Sequence, residues 1–384
     1  MTHRSATTGD QGWQTVAFDA GHGIAVALRR APPLRLHDAP LYRADCNSPV
    51  LIEAAATLAF VAHFLPVGHS SRRVGTSLFE LGGAPMPVRI LDDPDPGLGK
   101  WIESVWRAAD GRLFGWYHAE ARAPCAERLM MPHIGALASD DDGASWRILG
   151  DLLRADPDDV DCSFRNGSMA GGYGDFTCVP DAAASHFYLH FTSYRPDPAA
   201  QGVCAARYAV ADRDRPVGTV ELWTDGGWLP AGDVLPRPVI APVRGWRYAD
   251  ADAPWGPAVH WNDALGLYVM LVNRTRGGHG DLVQAGIEVA FNDDLARPDR
   301  WTPPIPLVDG GIWYPQVVGA AIGEGDRRLG AIGRFFLSGF SAWEIRFERP
   351  ASVRTAERPY RISEADIAAI FGPRRSDGGF GPAG

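Results

Sequence analysis

The chain has 384 residues, 46% hydrophobic and 22% charged, with 37 basic against 46 acidic side chains for a formal net charge of −9. That composition is globular and excludes a disordered, collagen-like or disulfide-scaffold protein. The negative balance predicts no sequence-independent attraction to nucleic acid or to an anionic membrane, so locally recognised ligands are expected. Trp is enriched over Tyr, 13 against 10, with several in short runs such as GKWIESVW, WGPAVHW and GIWYPQ. Trp gathers where apolar surface stays accessible to ligand and in β cores. Lys100 is the sole lysine, which makes Schiff-base chemistry a poor fit.

The polar residues 1–11 are expected to be mobile, and GWQTVAFDAGHGIAVAL within 12–30 supplies strands that pair with the last structural unit and close a ring. Five similar units follow, starting at Ala44, Gly99, Gly172, Ala253 and Gly311. Each opens on a carboxylate or aromatic, continues through a turn such as Ala109-Asp110-Gly111 or Asn262-Asp263, and ends in an apolar strand, the pattern of a β-hairpin. Further strand pairs follow, and four strands per unit predict an all-β, five-bladed propeller of four-stranded antiparallel blades, a single domain over 1–384. The blades fall at about 40–98, 99–171, 172–252, 253–310 and 311–350. These units exceed the roughly 40–50 residues of the familiar regulatory propeller repeats, which implies long loops.

Within the second unit, Ser139-Asp140-Asp141-Asp142-Gly143-Ala144-Ser145-Trp146 fits the Asp-box pattern S-x-D-x-G-x-[ST]-W. It is read as a turn staple: Asp141 bonds turn amides, Gly143 takes a positive φ and Trp146 tucks beneath. The trailing Glu of a calcium loop is missing. Ala290 to Trp301 reads as a degenerate copy. Near the end, Ser363 and Asp366 form a capping box for a short C-terminal helix, and 372–384 is expected to be a flexible tail.

Cys46, Cys125, Cys162, Cys178 and Cys204 show no C-x-x-C pair and are expected as free thiols in a reducing compartment. The start of the chain lacks the apolar core of a signal peptide and no stretch approaches the roughly 18 apolar residues of a membrane span, so a cytoplasmic location is expected.

Inner strands of a propeller run toward one mouth of the central channel, so carboxylates at blade starts converge. Asp45, Glu103 and Asp175 occupy such positions, and Glu103 lies among Trp101, Ile102, Val105 and Trp106, a costly place for an unpaired charge. Alternation puts His118 and Glu120 on one strand face, lining a cavity or paired at a blade interface. Trp255, Trp313 and Tyr314 sit at blade starts as candidate stacking platforms or core residues. Asn273, Arg274 and Gln316 are candidate hydrogen-bond donors to a ligand, while Arg165, Arg334 and Arg346 form an anion clamp only if the fold gathers them. No metal or cofactor is expected, although His260 is able to approach a cation on the axis if it is not a core histidine. P-loop, dinucleotide, G-x-S-x-G and H-E-x-x-H signatures are absent.

On the blade pattern and the carboxylates in ADCNSP, KWIESVW and GYGDFTCV, the sequence resembles the five-bladed β-propeller glycoside hydrolases, the group that includes the family 43 arabinofuranosidases and xylosidases. The resemblance implies a glycosidase with a carbohydrate substrate, acting by inversion in a funnel-shaped pocket. In that family the first three blades supply an Asp base, a pKa-tuning Asp and a Glu acid; here the second and third types are exchanged. Asp45 is then the base, Asp175 or Glu120 the acid, and Glu103 the tuning group. Hydrolysis needs one carboxyl to protonate the leaving oxygen and another to activate water or attack. The alternatives are a sialidase-like hydrolase of acidic sugars, suggested by the Asp-box, a glycoside phosphorylase, and a propeller that only binds carbohydrate.

Overall fold

Long apolar runs such as Thr57–His63, Phe187 to Phe191 and Leu267 to Val272 form strands buried on both faces. β-branched and aromatic residues suit the pleated surface, and burial on both faces follows when a sheet is sandwiched between two others. In the computed structural model, residues 12–37, 44–63, 68–126, 128–232, 234–276, 283–350 and 358–371 are described. The polar start at 1–11 and the tail at 372–384 lie outside them.

Five sheets surround one axis. Their innermost strands are Val50–Ile52, Trp101–Arg107, Tyr173–Pro180, Asp252–Asn262 and Pro315–Val318, in blades 1 to 5. Each sheet contains a four-stranded antiparallel meander, and blades 2 to 5 carry extra strands. Blade 5 is composite. Its outer strands Ile24–Arg35 and Gln14–Asp19 come from the chain start, with Ala25 opposite Glu348 and Arg35 opposite Phe340. Joining first and last segments in one sheet leaves no gap between blades 5 and 1.

The core is divided accordingly. Separate apolar clusters fill the seams between blades 1 and 2, 2 and 3, 3 and 4, 4 and 5, and 5 and 1, which closes the ring. One further cluster belongs to no single seam: Cys46, Trp101, Tyr194, Trp246, Trp255 and Tyr314 gather at one end of the channel.

The turn from Ser139 to Trp146 is bonded internally. Asp141 accepts from Ser145 N–H (2.8 Å) and from Ser139 Oγ–H (2.9 Å), Gly143 has φ +77°, and Trp146 Nε1–H donates to Gly143 O at 3.0 Å. Trp146 is fully buried against Phe60 of blade 1 and over Gly115, where a Cβ would come within 2.8 Å of its ring. The helix Glu364–Phe371 is capped by Ser363, whose Oγ accepts from Asp366 N–H while Ser363 N–H donates to the Asp366 carboxylate.

The cysteines depart from expectation. Cys125 and Cys162 form a disulfide with Cα atoms 5.4 Å apart, leaving Cys46, Cys178 and Cys204 as buried free thiols. The connection after blade 2 folds back so that Met130 bridges Met169, and residues 37 apart in sequence meet. No local spacing signals such a pair, and disulfides persist in oxidising rather than reducing surroundings.

Candidate functional site

Three inner strands are irregular at the same level. Their ladders shift register at Glu103, at Asp175 and at Gly256-Pro257. A bulge releases one residue from pairing and re-aims its side chain. Asp175 consequently has φ +40° and Gly256 φ +56°, while Tyr314, just before the inner strand of blade 5, has φ +57°. Asp45 precedes the first inner strand, on the segment where Ala44 bridges His63.

These irregularities assemble a polar cluster. His118 Nδ1 bonds Glu103 Oε1, and the other Glu103 oxygen accepts from Phe176 N–H at 3.1 Å, which ties blade 2 to blade 3. Trp101 stacks flat on His118 with ring centroids 4.8 Å apart, and its Nε1–H donates to Asp45 Oδ2 at 3.1 Å. Asp175 accepts from Tyr194 (2.8 Å) and Tyr314 (3.3 Å), and Glu120 Oε1 lies 4.0 Å from His118 Nε2. Beneath the cluster the axis is filled: Asn47 Nδ2–H and Thr177 Oγ1–H both donate to Pro257 O, joining blades 1, 3 and 4.

Burial divides the cluster. Glu103, His118 and Asp175 expose only 1%, 2% and 5% of their surface, whereas Asp45 and Glu120 are half-buried. Burial alone would push the His118 imidazolium down, but Glu103, with Asp175 and Glu120, raises it to about 9. Burial pushes Glu103 up to about 7 against the pull of His118. Glu120 is likewise raised by burial, with His118 opposing and Asp175 adding.

Ligand atoms from Glu103, His118 and Asp175 lie within 4.8 Å of one another, close enough to approach a metal ion. Both oxygens of each carboxylate already accept internal hydrogen bonds, however, so this donor set is satisfied by the protein.

Asp45, Glu103, Asp175, His118 and Glu120 therefore share one end of the channel, with Trp313 half-buried above. Other candidates are placed elsewhere or otherwise engaged. Trp255 is buried beneath Trp313 and Tyr314, at 5.9 and 5.6 Å, as packing rather than an open platform. Tyr314 is also buried and acts through its hydroxyl. Gln316 clasps the backbone of Ser48 with both ends of its amide, at 2.9 and 2.5 Å, sealing blade 5 to blade 1. Asn273 Nδ2–H faces Trp255 O and Gly256 O, supporting the bulge, and Arg274 pairs with Asp252 at 2.5 Å. His260 faces Phe347 at 5.6 Å in the seam between blades 4 and 5, where burial pushes it down to about 3, and among the described residues it belongs to no cluster of metal-ligating side chains. Arg165 is exposed, Arg334 bonds Pro32 O and Ser341, and Arg346 lies beside Glu348, so no clamp forms from them.

Sequence reasoning missed Tyr194, the strongest partner of Asp175. Its only signal is its position at the end of FTSY, one residue past the strand His186–Ser193 that pairs with the one carrying Asp175.

No family model and no curated protein sequence matches the chain. Among solved structures it is similar to an exo-β-1,3-galactanase from Phanerochaete chrysosporium with galactose, at 12% identity and TM-score 0.44 over 84% of this chain and 64% of that one, just under two thirds. It is also similar to the native arabinanase of Bacillus subtilis, at 12% identity and TM-score 0.44 over 80% of this chain and 95% of that one. An α-L-arabinanase from Penicillium chrysogenum, complexed with arabinobiose, aligns at 10% identity and TM-score 0.45 over 88% of this chain and 97% of that one. These are likenesses of fold.

Proposed function

We propose that the chain is a glycoside hydrolase whose reaction takes place at the carboxylate-lined end of the channel. The observation that carries this reading is that two half-buried carboxyls adjoin one buried polar core of Glu103, His118 and Asp175, Asp45 through the Trp101 indole stacked on His118 and Glu120 at 4.0 Å from the His118 ring. Burial favours the neutral form of Glu120, which suits a general acid; its proton goes to the leaving oxygen as the glycosidic bond breaks. Asp45, steadied by the Trp101 indole, takes a proton from the water that attacks the anomeric carbon. Glu103 holds His118 by hydrogen bond, and the His118 charge in turn acts on Glu120. Inversion requires the Asp45 and Glu120 carboxyls to stand about 6.5–9.5 Å apart around that water.

A carbohydrate-binding propeller is the second reading. It is favoured by Glu103 and Asp175, whose oxygens are all taken up by internal partners, as in a structural network. A sialidase-like reading lacks its anion clamp, since Arg165, Arg334 and Arg346 are apart.

A screen over aryl furanosides, pyranosides and sialosides, with and without phosphate, tests the proposal. Turnover of a glycoside that Asp45→Asn and Glu120→Gln each abolish without lowering the melting temperature supports hydrolysis, and phosphate dependence would redirect it to phosphorolysis. Saturable sugar binding with no turnover establishes the binding reading instead.

A further inference from the structure

The inner strands run the same way, so a second mouth lies at their far ends, formed by Glu53, Arg107, Asn262 and the 319–331 connection of blade 5. Seven residues of strand, Trp101–Arg107, separate the two levels by about 20 Å. The 319–331 segment folds across this second mouth. Gly325 bridges Leu51 of blade 1, Asp326 Oδ1 accepts from Val50 N–H at 2.7 Å, and Arg328 and Leu329 pair with Trp261 and Asn262 of blade 4. A cavity of about 220 Å³ remains there, lined by Glu53, Trp106, Arg107, Glu324, Arg327 and Arg328 among others.

Arg327 is the anomaly in this cavity. Its Nε is sealed from solvent with no hydrogen-bond partner, and among the described residues its guanidinium makes no ion pair. The neighbouring charges are engaged otherwise. Glu53 Oε1 holds Arg107 Nε at 2.6 Å, and Arg107 also reaches Asp142 at 2.8 Å. Glu324 accepts from Ala321 and Gly330 N–H at 3.0 and 2.8 Å, Asp326 is bonded to Val50, and Arg328 is held by Asp263 at 2.9 Å. Burial pushes the Arg327 guanidinium down, opposed only through space by Asp326, the Cys178 thiol and Glu53. Arg327 is half-buried overall, so its cation is partly desolvated, which is costly without a bonded counter-charge, and a guanidinium presents five N–H groups in a fork that fits two oxygens of one anion.

We propose that the far mouth of the channel is a binding site for a small oxyanion, a phosphate, sulfate or carboxylate group, seated on the Arg327 fork with Arg107 and Arg328 at its rim. The cavity admits a free ion or a short acid. The site is remote from the Asp45–Glu120 end and stands whether or not that end is hydrolytic.

The test uses the full chain at constant ionic strength, exchanging chloride for inorganic phosphate, sulfate or acetate while following thermal unfolding and the ³¹P line width of added phosphate. The expected result is a saturable rise in melting temperature with at least one oxyanion over a range reaching about 50 mM, as linkage to native-state binding requires. Phosphate lines should broaden with the chain present and sharpen when sulfate competes. Arg327→Gln should weaken the oxyanion response by about tenfold or more and melt higher than the native chain in chloride alone, because it removes the uncompensated charge. Arg327→Lys, which keeps the charge without the fork, provides the same comparison if the Gln variant fails to fold, and should show a reduced response. An absence of any saturable oxyanion effect on the native chain, or an undiminished effect in either variant, overturns the proposal.

Discussion

The phenol of Tyr314 donates to Oδ1 of Asp175 at 3.3 Å across 139 residues of chain, and both residues hold positive φ, +57° and +40°. Such conformations cost on the order of 1–3 kcal/mol each in residues other than glycine and persist where the surroundings over-determine them. Tyr194, at 2.8 Å from Oδ2, is the nearer restraint. Tyr194→Phe should therefore lower unfolding free energy by about 1–3 kcal/mol, the cost of leaving a buried carboxylate oxygen without its donor, and Tyr314→Phe by less. Urea unfolding of the two variants checks the order, and a neutral Tyr194→Phe would remove Tyr194 as the anchor of Asp175.

The Glu103–His118 pair makes stability depend on pH. His118 is raised to about 9 in the folded chain, against an ordinary value of about 6.5. A raised folded-state value means that this contribution is complete below about pH 6.5 and is lost as pH climbs through about 9. Unfolding free energy should fall across that interval, measured by denaturant titration at successive pH values. His118→Gln should flatten the fall and lower stability below it by less than the about 3–5 kcal/mol of a stranded buried charge, because Glu103, already pushed up to about 7 by burial, takes up a proton there. A native profile level from neutral to alkaline pH is incompatible with this pairing.

Asp141 gathers the turn that ends in Trp146. Burial works against its charge, yet bonds from Ser145 and Ser139 hold its carboxyl below the ordinary range. Asp141→Ala should reduce stability by about 1–3 kcal/mol while any activity per folded molecule persists, because the turn lies between outer strands of blade 2. Melting temperature and specific activity, measured on the same preparation, separate the two effects.

Thiol titration of the denatured chain distinguishes the cysteine arrangements directly. Without reductant three thiols should react, Cys46, Cys178 and Cys204, and after reduction all five. Five reactive thiols without reductant would rule out the Cys125–Cys162 bridge.

Glu103 stands out in sequence because a carboxylate between Ile102 and Val105 is expensive unless paired. Alternation likewise places His118 and Glu120 on one face. What neither feature reveals is the partner: that Glu103 bonds His118 within its own blade and Phe176 N–H across a seam depends on a register shift at Glu103 itself. Bulges leave little trace in a hydrophobic pattern, so Gln316, Asn273 and Trp255 read as ligand-facing, whereas Gln316 clasps blade 1, Asn273 supports the bulge of its own blade and Trp255 packs under Trp313 and Tyr314 of blade 5.

The sequence by itself determined the β character, the five units and the short C-terminal helix, because alternation, turn residues and capping are local and repeat along the chain. Only the tertiary structure decided which side chains meet: the Cys125–Cys162 bridge, the Asp175 contacts with Tyr194 and Tyr314, and the Arg327 Nε left without an acceptor among the described residues at the far mouth. Each depends on where distant loops and strand ends come to rest around the axis, and that position is set by packing between blades, which no local window of residues encodes.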